Sequence, residues 1–84
     1  MSNRQFAERL NQELDIMEMP PAITERTNAL ARLLKITKFE AGLLINGSIP
    51  NNGLLTRVAG ELEVNPEWLT GKSIKRVINP DNVN

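Results

Sequence analysis

The 84-residue chain predicts an all-α fold of five short helices, and three observations carry that prediction. Apolar residues recur three and four positions apart in successive stretches, the spacing of one helical face. Capping residues, prolines and glycines stand between those stretches, where helices start and stop. At this length one modest core is available, since a domain this small buries only roughly 60% of its unfolded surface.

In the first helix Phe6, Leu10, Leu14 and Met17 form the inward stripe. Ser2 and Gln5 have the spacing of a capping box ahead of it. Glu8, Glu13 and Asp15 fall off the stripe, toward solvent, so this helix is expected to support and not to bind. Pro20 and Pro21 end it, because proline disfavours helical geometry in the residue before it. Thr24 with Glu25 makes a start for helix two, the carboxylate lying at the positive end of the dipole.

The central stretch, residues 27–47, organises the rest. Leu30, Ala31 and Leu34 occupy one stripe, Ile36 opens a break, and Ala41, Leu44 and Ile45 resume the spacing in a third helix. Two short helices sharing one core must cross, and small Ala31, Ala41 and Gly42 permit a close crossing. Thr37 and Glu40, three apart, form a capping box that fixes where helix three begins. Gly47 after Asn46 is the expected left-handed residue past its end.

Residues 48–53, SIPNNG, make a turn-rich link in which Asn51 or Asn52 caps helix four. Leu54, Leu55, Val58, Ala59 and Leu62 then give the widest apolar face in the chain. Asn65 followed by Pro66 is an N-cap with a first-turn proline. A last short helix carries Trp68 and Leu69 inward until Gly71. Residues 1–71 are thus read as the domain and 72–84 as a tail. In the tail, Ile74, Val77 and Ile78 with Lys75 and Arg76 suit a short strand paired across a dimer, or a frayed end. An ordered contact is favoured, since three β-branched residues in five would otherwise leave an exposed apolar patch.

Composition narrows the function classes. With 40% hydrophobic and 24% charged residues, the chain is globular and not disordered. It has no run of about 18 apolar residues and no apolar leader, so no membrane span or signal peptide is expected. With no cysteine it forms no disulfide, which fits a cytoplasmic protein. The absence of histidine and cysteine removes the commonest general base, the thiolate nucleophile and the usual zinc ligands. Gly42, Gly47 and Gly53 do not fit a phosphate-binding glycine loop. No enzyme activity, metal, cofactor or small-molecule ligand is therefore expected.

Formal net charge is zero, yet the charges are segregated. Residues 26–60 hold five basic groups (Arg26, Arg32, Lys35, Lys38, Arg57) against one acid, Glu40, a local balance of +4. Residues 1–25 hold five acids and two arginines, and residues 61–84 four acids and three bases. One face then attracts phosphate while the molecule stays neutral. A merely solvated set of helix faces is the competing explanation.

The combination L-A-x-x-L at Leu30 to Leu34, I-T at Ile36 and Thr37, N-G at Asn46 and Gly47, and L-L-x-x-V-A-x-x-L-x-V-N-P-E-W-L from Leu54 to Leu69 resembles the lambda-repressor-like helix-turn-helix family of phage repressors, Cro proteins and XRE-type regulators. The resemblance runs from Phe6 to Gly71, and its second half is the more specific. Two departures stand out: Lys35 occupies the turn position where the family usually has glycine, and Phe39 and Leu43 stand where it commonly has polar residues.

The resemblance implies a sequence-specific DNA-binding transcriptional regulator, a homodimer on a palindromic operator with helix three in the major groove. Family positions that reach bases fall on Lys38, Phe39, Gly42 and Leu43. Lys38 suits guanine O6 and N7, and Phe39 and Leu43 suit thymine methyl groups. Thr27, Asn46, Asn51 and Asn52 match backbone- or base-contacting positions, although asparagine there is equally a turn former. Arg26, Lys35 and Arg57 are candidates for phosphate contacts. Glu40 is left out because capping explains it. With no second domain expected, such a regulator acts by occupying its site. The alternative is a protein-interaction or adaptor module on the same scaffold, using the apolar surface of Phe39 and Leu43.

Overall fold

Asn3 opens the first helix of the structure, a computed structural model that describes residues 3–77. Its side chain accepts from the Phe6 amide at 2.9 Å, so the cap is Asn3 and not the expected Ser2, which lies outside the described residues. Helix α1 spans Arg4–Ile16, α2 Ile23–Leu34, α3 Lys38–Ile45, α4 Asn52–Leu62 and α5 Pro66–Leu69. The protein is all-α, with no strand among the described residues.

Phe6, Leu10 and Leu14 of α1 supply one wall of the core. Leu30, Ala31 and Leu34 of α2, Ala41, Leu44 and Ile45 of α3, and Val58, Ala59 and Leu62 of α4 close round it with Trp68 and Leu69. Helix α3 packs on α2 and α1, α5 on α4 and α1, and α2 also meets α4. The stripes read from the sequence are buried except at their edges: Leu54 and Leu55 at the start of α4 are half-buried, and Met17 is exposed because α1 stops at Ile16, four residues before Pro20. Glu18 takes a left-handed φ of 62°, and the Met19 amide donates back to the Leu14 carbonyl at 3.0 Å, which ends the helix without help from proline. Helix α2 likewise starts earlier than Thr24. Its N-cap is Ala22, which offers no side-chain bond, with Glu25 left in the first turn.

The other expected caps are present. Asn51 accepts from the Leu54 amide at 2.9 Å, and Asn65 from the Glu67 amide at 3.0 Å with Pro66 in the first turn. Gly47 has φ +104°, and a Cβ there would stand 2.7 Å from the Asn3 carbonyl oxygen. Only glycine allows the end of α3 to lie this close to the start of α1.

Two charged residues, Glu13 and Arg26, are turned inward against expectation. Glu13 is buried and not in solvent, its two carboxylate oxygens each accepting from the Arg76 guanidinium at 2.7 Å. That bond raises the Arg76 pKa above its ordinary value, against a smaller lowering by burial, so the guanidinium stays charged at working pH. The Asn65 amide also donates to the Arg76 carbonyl at 2.7 Å. Through Val77 the tail therefore folds back on its own domain and forms no strand; Ile78 lies outside the described residues.

Trp68 is buried with the Arg9 guanidinium 4.8 Å and that of Arg76 5.9 Å from the ring centroid. Arg9 also donates to the Trp68 carbonyl, so the indole is a structural plug with cations stacked on it. Trp68→Ala is expected to remove about 3–5 kcal/mol of unfolding free energy, much of the stability of so small a domain. Urea denaturation measures this, and an unmoved midpoint would contradict the placement.

Candidate nucleic-acid interface

Helix α3 begins where Thr37 and Glu40 cap each other. The Thr37 hydroxyl oxygen accepts from the Glu40 amide at 3.0 Å, and a Glu40 carboxylate oxygen accepts from the Thr37 amide at 3.0 Å and from the Thr37 hydroxyl at 3.2 Å. The one acid between residues 26 and 60 is thereby spent on the helix start. Ala41, Leu44 and Ile45 face the core, which leaves Lys38, Phe39, Gly42 and Leu43 on the other sides of the helix.

Phe39 is 75% and Leu43 41% exposed. They stand one turn apart, where side chains on a helix are neighbours. Lys38 is exposed, and Gly42 is half-buried. A Cβ at Gly42 would meet only the Thr27 methyl, at 4.0 Å, an ordinary contact. Nothing within the domain requires glycine here, although glycine weakens a helix relative to alanine by about 0.5–1 kcal/mol.

The backbone-contact candidates divide. Lys35 is exposed and caps α2 in the left-handed region, with φ 57° and ψ 49°. Asn46 is exposed at the C-cap of α3. Asn51 and Asn52 are exposed at the start of α4. Arg57 is exposed and donates to the Leu34 carbonyl, meeting one of the unpaired acceptors at the end of α2.

Thr27 lies a full turn inside α2, and its hydroxyl donates to the Ile23 carbonyl at 2.7 Å. In that placement the hydroxyl proton is not offered to phosphate, which only accepts.

Arg26 departs from the expected phosphate contact. It is buried, and its guanidinium donates to Asp15 Oδ1 at 2.6 Å, to the Pro20 carbonyl at 2.9 Å and to the Met19 carbonyl at 3.1 Å. The loop between α1 and α2 leaves carbonyls pointing inward, and Arg26 satisfies them. It is a clamp on that loop and stands apart from the α3 surface.

Arg32, Lys35 and Lys38 are exposed, and none forms an ion pair among the described residues. Leu43 and Asn51 come together along a shallow groove of about 220 Å³, with Ile49, Pro50 and Leu54 in the same wall. Ile49, 42% exposed, extends the apolar ridge and was not among the sequence candidates. A lone isoleucine in the irregular link between α3 and α4 carries no periodicity to mark it. Among the described residues no cluster of His, Cys, Asp or Glu could hold a metal ion, and no helix is long and apolar enough to cross a membrane.

No protein-family model, no curated protein and no solved structure matches this chain.

Lys35 gives a stability test of the turn that sets α3. A left-handed residue with a Cβ is strained relative to glycine. Lys35→Gly is expected to raise stability by about 0.5–1 kcal/mol, a shift of a few degrees in Tm. A lower Tm in calorimetry would mean that the lysine side chain contributes more than its backbone strain removes.

Proposed function

We propose that this protein is a DNA-binding transcriptional regulator of the lambda-repressor-like helix-turn-helix class, acting as a homodimer on a palindromic operator. The observation that carries the reading is the state of α3. Its first turn is fixed by a capping box that occupies the one local acid, while Lys38 and Phe39 stand outside the core beside cations that have no ion-pair partner among the described residues. A rigid short helix with a free, electropositive N-terminal face is what major-groove docking uses.

In this reading α3 enters the groove and α2 crosses the sugar-phosphate backbone. Lys35, Arg57 and Arg32 contact phosphates, fix the register and carry the salt dependence. Asn46, Asn51 and Asn52 meet the backbone beyond the end of α3. Arg26 is removed from the contact set, since its donors are occupied within the domain. Two copies read half-sites about one helical turn apart, and the bound dimer acts by occupying its site.

Selection from random duplexes at low salt tests this. An enriched inverted repeat is expected, with binding that weakens steeply as salt rises; no enrichment at any salt overturns the reading. On the selected site, Lys38→Ala is expected to remove about 1–3 kcal/mol of discrimination at one base pair. Titration against single-base variants measures this, and equal loss at every position would make Lys38 a phosphate contact.

A further inference from the structure

We propose that α3 selects thymine through the 5-methyl group, with Phe39 and Leu43 as the reading side chains, so that the half-site carries thymines where these two land. This rests on the DNA-binding reading above and adds the base class to it.

The exposure of the two residues carries the argument. A single exposed leucine on a small domain is ordinary, but Phe39 at 75% and Leu43 at 41% exposure lie one helical turn apart, and Leu43 runs on into the groove lined by Ile49 and Pro50. Such a ridge offers contact to an apolar complement. Its surroundings restrict what that complement is. Lys38 is in the same turn as Phe39 and Lys35 sits just before the helix, two cations against the one exposed carboxylate of α3, Glu40, which Thr37 holds at the helix start and which also borders the groove beside Leu43. A second copy pressed against this face would bring lysine toward lysine, which is repulsive. The partner must be anionic around its rim and apolar at points inside it.

Duplex DNA has that pattern in its major groove. Phosphates line both edges, and the thymine methyl is the apolar group presented on the base edges. Gly42 fits the same partner. It stands three residues after Phe39 and four after Lys38, on neighbouring faces of α3, and its missing Cβ answers no need within the domain. What the absent side chain provides is close approach to the helix backbone from outside.

The test uses two random duplex pools, each about two helical turns long, identical except that one contains uracil in place of thymine. Uracil keeps the O4 acceptor and pairing and lacks only the methyl. With the thymine pool, enrichment of T·A pairs within the half-site is expected; with the uracil pool, that preference is lost. On the recovered duplex, each contacted thymine changed to uracil is expected to weaken binding about fourfold, the size of one buried methyl group's transfer. Phe39→Ala removes the uracil sensitivity at one position and Leu43→Ala at another; Tm is unchanged for Phe39→Ala, whose side chain is 75% exposed, and falls slightly for Leu43→Ala, which is 41% exposed. Gly42→Ala is expected to raise Tm and weaken binding.

A duplex that binds equally well with uracil throughout overturns this proposal and leaves the DNA-binding reading standing. Uracil sensitivity that persists in both alanine variants also overturns it, since other side chains then read the methyl. If neither pool is enriched at low salt, both readings fall.

Discussion

An eight-residue helix does not hold its shape alone in water, so α3 depends on what anchors it. The anchors are the burial of Ala41, Leu44 and Ile45 and the reciprocal cap of Thr37 and Glu40. Together they leave α3 no freedom to roll, because rotation would expose the buried stripe or break the cap. The outward positions are therefore fixed as strictly as the inward ones. Lys38, Phe39, Gly42 and Leu43 form a surface by default, as the complement of a core contact, and every functional statement about this chain follows from that.

The rest of the fold keeps that helix in place. Gly47 brings the end of α3 against Asn3, and the Asn3 amide donates to the Gly47 carbonyl at 2.8 Å. Asn11 donates from α1 to the Ile45 carbonyl at 3.2 Å, and Arg57 reaches from α4 to the last residue of α2. Both exits from α3 are thus tied to elements far away in sequence. Arg9 and Arg76 do similar work at the other end of the molecule, joining α1, α5 and the tail around Trp68. Buried charge here holds irregular chain in place.

Most of what could be read from sequence alone is decided within four or five residues, although even there the N-caps of α1 and α2 are Asn3 and Ala22 and not Ser2 and Thr24. Helical stripes, the caps at Thr37, Asn51 and Asn65, and the turn glycine at Gly47 depend on local spacing, and each lies where its residue type says it should. Charged residues with distant partners were not legible. Glu13 and Arg76 are 63 positions apart, and Arg26 is drawn inward by loop carbonyls whose direction no periodicity encodes. The same limit touched the candidate site. The ridge residues followed from helical phase, but Arg26, assigned by charge, belongs to the interior, and Ile49, lying in the irregular link between α3 and α4, was missed. A basic residue next to a helix start carries the same letter whether it faces phosphate or a backbone carbonyl.

Removing Arg26 from the surface changes the electrostatics less than the count suggests. Its charge is matched by Asp15 beside it, so the exposed charge of residues 26–60 is that of Arg32, Lys35, Lys38 and Arg57, none of which has an ion-pair partner among the described residues, against the one carboxylate of Glu40. These cations also bear on why an apolar ridge remains uncovered. Copies of the protein approaching ridge to ridge meet like charges before Phe39 makes contact. Under the proposed function, phosphate on either side of the groove neutralises those cations and removes that barrier, and the ridge is then opposite base edges. Charge neutralisation and apolar contact thus favour the same partner and the same orientation, whereas an uncharged apolar partner would satisfy the ridge and leave the cations without counter-charge.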